Sequence, residues 1–131
     1  MKRILKPGDK RYFTKIVMPT DVASFEAGAV HPVYATFAVA RDAEWCCRLF
    51  ALDVRDEDEE GIGTFVNVMH IAPALLNSEI VFTAEIMEIV GHAIICKWVA
   101  KHKERIIAEG TQGQKILQKT KLDLIFQSLK F

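Results

Sequence analysis

The sequence predicts an α+β domain in which about five antiparallel strands pack on one long helix. Three observations predict it. The stretch from Ala38 to Leu52 holds no glycine or proline and carries apolar residues at helical spacing. Four β-rich runs follow it, joined by turns too short for crossover connections, so neighbouring strands run antiparallel. The chain has 131 residues, the size of one domain, and 1–131 is read as a single unit. At that length roughly two thirds of the unfolded surface can be buried, so a core needs neither disulfide nor metal.

Each element has its own signal. Arg11 to Val17 reads as a first strand, followed by a loop. In the helix, Val39, Ala43, Cys46 and Phe50 fall on one stripe, with Ala40, Glu44, Cys47 and Ala51 in a column beside it. From Asp53 to Glu60 six of eight residues are acidic; mutual repulsion predicts a solvated loop there. Thr64 to Ile71 is β-rich, with Thr64, Val66, Val68 and His70 pointing one way. Glu79 to Val90 is the next strand, and Gly91-His92 turns tightly into Ala93 to Lys101. Lys101 to Glu104 is a charged turn into the last strand, Arg105 to Leu117. Gly110 and Gly113 interrupt that strand, which predicts a bulge or the close approach of another backbone. Leu122, Ile125, Phe126 and Leu129 then predict a short terminal helix from Lys119. The runs Ile80–Val90 and Ile94–Val99 are apolar on both faces, more than one helix can cover, which favours a homodimer.

Charge and composition exclude several roles. Lys and Arg number 17, as do Asp and Glu, so the chain lacks the basic excess that nucleic acid demands. The longest uncharged stretch, Gly61 to Ser78, includes two glycines, two asparagines and a proline, and predicts no membrane span. Met1-Lys2-Arg3 has no apolar segment behind it, so no signal peptide is expected. The cysteines are Cys46, Cys47 and Cys96, an odd number without CxxC or Cys/His spacing. They are expected to be buried, reduced thiols in a cytoplasmic protein with no metal or other cofactor.

Three polar residues stand in apolar settings: Thr36 ahead of the helix, Glu44 in its small-residue column, and His70 between Met69 and Ile71. A carboxylate partly desolvated beside Ala40, Cys47 and Ala51 suits general base work. A threonine hydroxyl can act as nucleophile or hold a water, and a histidine can protonate a leaving group near neutral pH. Bland roles fit as well: Thr36 as a helix cap, Glu44 on a solvated face, His70 as a hydrogen-bonded core or edge histidine. Eight residues separate Thr36 from Glu44, about 12 Å along a helix, so sharing a substrate would require Thr36 to lie in the preceding loop.

These residues and their surroundings resemble the hotdog-fold thioesterases, in particular the fluoroacetyl-CoA thioesterase type. The matching segments are Val33-Tyr-Ala-Thr-Phe-Ala-Val39, Glu44-Trp-Cys46, Gly63-Thr64 leading to His70, and Glu109-Gly-Thr111, in order and at matching spacing over about residues 7 to 120. The resemblance implies a hotdog fold, a long helix wrapped by the sheet, and a homodimer with acyl-CoA sites at the subunit interface. It also implies hydrolysis of a short or small acyl thioester to free acid and CoA. Thr36, Glu44 and His70 match the family's catalytic threonine, glutamate and histidine, and Gly63 with Thr64 matches a substrate-binding segment whose backbone amide could stabilise an oxyanion. Two positions depart from the type: Ala29-Val30-His31-Pro32 stands where fluoroacetyl-specific members have a phenylalanine gate, and Gln114 aligns with an arginine. His31 and His92 read as surface or turn residues. The alternatives are a noncatalytic acyl-CoA or small-ligand binding module of the same fold, and, less well supported, an enoyl-CoA hydratase, whose Asp/His pair is not evident here.

Overall fold

The structure, a computed structural model, describes residues 1–25 and 28–130; the side chains of residues 24–30 lie outside that description. Helix α1, Thr36–Val54, runs without a break, as expected for nineteen residues lacking glycine and proline. Its predicted stripe of Val39, Ala43, Cys46 and Phe50 is wholly buried, joined by Ala38, Cys47, Ala51 and Val54. It lies against an antiparallel sheet whose strands β1 (Lys10–Ile16), β4 (Glu59–Val66), β6 (Glu79–Val90), β7 (Ala93–His102) and β8 (Arg105–Gln118) take the order β1-β6-β7-β8-β4. A two-residue strand β5, Met69–His70, pairs with β8 beside β4. Strands β2 (Val22–Phe25) and β3 (Gly28–Tyr34) form a separate two-stranded ribbon before the helix. A second helix, α2, spans Lys119–Ser128.

The hairpins follow their turn residues. Gly91 (φ 61°) supplies the left-handed conformation of the β6–β7 turn, and Lys103 (φ 55°) adopts it in the β7–β8 turn. Inward positions alternate along the strands: Ile80, Phe82, Ala84 and Ile86 on β6, then Ile94, Cys96, Trp98 and Ala100 on β7, are all buried. Phe82 packs between Phe13 and Trp98, with ring centroids 6.2 and 6.1 Å away. Each such large apolar side chain contributes about 1.5–3 kcal/mol by leaving water.

Three expectations need correction. Thr36 is the first residue of α1 and neither caps it nor precedes it. Ala35 is the N-cap, because its amide is fixed on the Asp21 carbonyl (2.8 Å) while its own carbonyl accepts the Val39 amide (3.0 Å). The acidic stretch is not one solvated loop. Asp53 belongs to α1 and pairs with Arg11, Glu59 is buried against the Met1 ammonium, and Glu60 pairs with Arg48 and Arg55. Opposite charges from the chain start and α1 neutralise acids that composition alone would send to water. The run from Thr64 to Ile71 is two strands. Asn67 leaves the ladder to bond Thr111, its amide to the carbonyl and its side chain to the hydroxyl, both at 2.8 Å.

Candidate active site

The first turn of α1 sets the site's position. Arg41 bonds Asp21 (2.6 Å) and Asp42 (3.0 Å), and the Tyr34 hydroxyl donates to Asp42. Lys15 reaches the other Asp21 oxygen at 3.1 Å. This network ties β1, the Pro19–Asp21 turn and β3 to the helix start, where Thr36 projects to an exposed surface. There Thr36 Oγ1 lies 2.8 Å from His70 Nδ1. His70 arrives from β5, held against Ala108 on β8. Its Nε2 is buried with no hydrogen-bond partner among the described residues.

Glu44 lies two turns further along the helix, above β4. A Cβ placed on Gly63 would fall 1.9 Å from Glu44 Oε1, so only glycine lets this carboxylate rest on the strand backbone. One step along, a Cβ on Gly61 would meet the Ala51 Cβ at 2.8 Å. The glycine pair thus lets α1 lie directly on β4, with Arg48 bonding the Gly61 carbonyl at 2.7 Å. Thr64 is the extra residue of a bulge, since Gly63 faces Gln114 and Phe65 faces Gly113. Gly63 and Thr64 are both exposed. Thr36 and His70 are therefore in contact, Glu44 and Gly63 are in contact, and Glu44 makes no hydrogen bond to either Thr36 or His70.

Gln112 escaped the sequence reading, and Gln114 entered it only as a departure from the family's pattern. Gln112 and Gln114 occupy successive inward positions of β8, at 0% and 1% exposure, and their amides have no hydrogen-bond partner among the described residues. Period-two spacing with buried Ile116 is the signal that places both inward, interrupted in the sequence by Gly113 between them. The thiols behave as anticipated, buried and unpaired. Burial pushes the Cys46 thiol up to about 12, and hydrogen bonding with Cys96 together with burial raises Cys47 further, so neither is a nucleophile. His31 is exposed on β3 and His92 is exposed in its turn. The expected gate stretch, residues 29–32, falls partly on side chains outside the described residues.

A concave surface of about 450 Å³ lies elsewhere, on the outer face of the sheet, and is lined by Lys10, Thr83, Glu85, Lys97, Val99 and Thr111 among others. Glu85 there pairs with Lys97 (3.2 Å) and Lys10 (3.7 Å), so charges of both signs occupy it. Among the described residues no helix is long and apolar enough to cross a membrane.

A curled antiparallel sheet around one long helix, with a polar cluster where the helix meets β4 and β5, defines a hotdog-fold protein. Residues 17–120 match the model of the fluoroacetyl-CoA-specific thioesterase family. Among solved structures, a thioesterase superfamily member from Thermus thermophilus is 32% identical with a TM-score of 0.92, covering 97% of this chain and 94% of that one. The fluoroacetyl-CoA thioesterase FlK superposes with a TM-score of 0.87 at 20% identity, over 97% of this chain and 98% of that one. A hot-dog-like protein from Thermanaerovibrio acidaminovorans gives 0.86 at 18% identity, over 95% and 93%. No curated protein matches the sequence. The chain belongs to the fluoroacetyl-CoA-specific thioesterase family and is a thioester hydrolase.

Proposed function

We propose that the protein hydrolyses the CoA thioester of a short or small acyl group, using Thr36, Glu44 and His70 at the interface of a homodimer of single-domain chains. The observation that carries this reading is the 2.8 Å contact between Thr36 Oγ1 and His70 Nδ1; Glu44, two turns along α1 from Thr36, lies against Gly63. In this mechanism an oxygen nucleophile adds to the thioester carbonyl carbon, either water, giving its proton to Glu44, or the Thr36 hydroxyl, giving its proton to the adjacent His70 Nδ1. Charge develops on the carbonyl oxygen, where a backbone N–H of the exposed Gly63–Thr64 segment donates. Collapse breaks the C–S bond, and the proton taken from the nucleophile passes to the departing sulfur, with His70 assisting the transfer. A Thr36 route would add hydrolysis of the acyl-enzyme by the same groups.

Thiol release from a panel of acyl-CoAs, acetyl to long-chain, tests the proposal. Glu44→Gln is expected to fold and assemble as wild type while losing at least ~100-fold in turnover, because it keeps the shape and removes the base. A fully active variant would remove Glu44 from the mechanism, and the preferred chain length would size the acyl pocket.

A further inference from the structure

Gln112 and Gln114 are large amides buried without hydrogen-bond partners among the described residues, an arrangement that costs stability unless it serves something. Their surroundings differ. The point where a Gly63 Cβ would stand is 1.9 Å from Glu44 Oε1 and 3.6 Å from Gln112 Nε2. The corresponding point over Gly61 is 3.6 Å from Gln114 Oε1 and 3.5 Å from Arg48 Nη1. Gln112 Nε2 and Glu44 Oε1 thus border the same point over Gly63, and Gln114 Oε1 and Arg48 Nη1 border the point over Gly61. The carboxylate fills the space that a side chain at Gly63 would take, with the Gln112 amide beside it.

We propose that Gln112 is a positioning residue for Glu44, its amide N–H reaching the carboxylate over Gly63 by a single rotamer step. The inference rests on the reading of Glu44 as the general base. A neutral donor suits this task better than a cation. It orients the carboxylate without pairing its charge, as an adjacent guanidinium would. Burial makes the interaction effective, since no bulk water competes for the amide.

Gln112→Met and Gln114→Met each remove one buried amide from the same strand, so they share whatever structural effect that has. Gln112→Met is expected to lower kcat by roughly tenfold to a hundredfold with KM little changed. Gln114→Met should stay within about threefold of wild type in both kcat and KM. Gln112→Asn, which retains a shortened amide, serves if methionine at 112 does not fold, with a smaller fall in kcat and KM again little changed. A Gln112 variant with wild-type kcat, or losses matched by Gln114→Met, would overturn the assignment. Full activity in Glu44→Gln would instead defeat the underlying reading, whatever the Gln112 variants do.

Discussion

A methyl group at position 63 and one at position 61 meet different obstacles, and the difference separates activity from stability. At Gly63 the new Cβ would strike the end of the Glu44 side chain, which can swing away. Gly63→Ala should therefore melt close to wild type but lose roughly a hundredfold in kcat/KM, since the carboxylate must leave its place. At Gly61 the obstacle is the Cβ of Ala51, fixed to the buried side of α1. Gly61→Ala should cost about 1–3 kcal/mol through overpacking while the surviving folded enzyme turns over nearly normally. Thermal melts and thiol-release kinetics on the two variants check both halves. The glycines also mark how far the site was legible in the sequence. Thr36, Glu44 and His70 stood out as polar groups in apolar runs, and the family resemblance gave them roles. Spacing alone could not bring Thr36 to His70 across 34 positions, because that contact depends on β5 docking against β8. The inward placement of Gln112 and Gln114 was hidden for the opposite reason: a polar residue in a strand is ordinarily read as pointing outward.

At the scale of elements, the start of α1 depends on charge. Burial alone would raise the Asp21 carboxyl, but hydrogen bonds from Arg41, the Met18 amide and Lys15 outweigh it and hold the group below the ordinary carboxylate range. The folded pKa thus lies under the unfolded value of about 4, so this stabilisation is complete above it and is lost as pH falls through the depressed one. Denaturant midpoints measured from pH 7 down to 3 should fall less steeply for Asp21→Asn than for wild type, from a lower start at pH 7. Tyr34→Phe withdraws the phenol from buried Asp42 and should cost about 1–3 kcal/mol in the same assay. Neither residue was visible as a structural anchor in the sequence. The long helix and the strands from Glu79 onward were, because clean periodicity and short turns at Gly91-His92 and Lys103-Glu104 fix them locally. The ribbon of β2 and β3 was not: its register shifts twice within four pairs, so no alternation survives in the sequence to announce it.

For the whole molecule, the question is what covers the side on which the site lies. Strand β4 bonds β8 on one side and is the last strand of the sheet order on the other, an edge that open sheets normally blunt or pair. The large apolar residues near it are exposed rather than buried: Phe37 and Trp45 on α1, Phe65 on β4, Met69 and Ile71 at β5. Thr36, Gly63 and Thr64 are exposed as well, so a second copy seated over α1 and β4 would cover apolar area and wall in the substrate together. In that arrangement activity belongs to the pair. Light scattering should find twice the 14.8 kDa of one chain, and on dilution the activity per chain should fall in step with the dimer fraction. Trp45→Glu, which places a charge in the apolar surface beside the site, should shift the protein to monomer at concentrations where wild type is paired. It should retain the wild-type far-ultraviolet circular dichroism and lose thiol release in proportion to the dimer lost. A monomer that turns over at the wild-type rate would separate the site from the interface and leave the exposed apolar surface to some other partner.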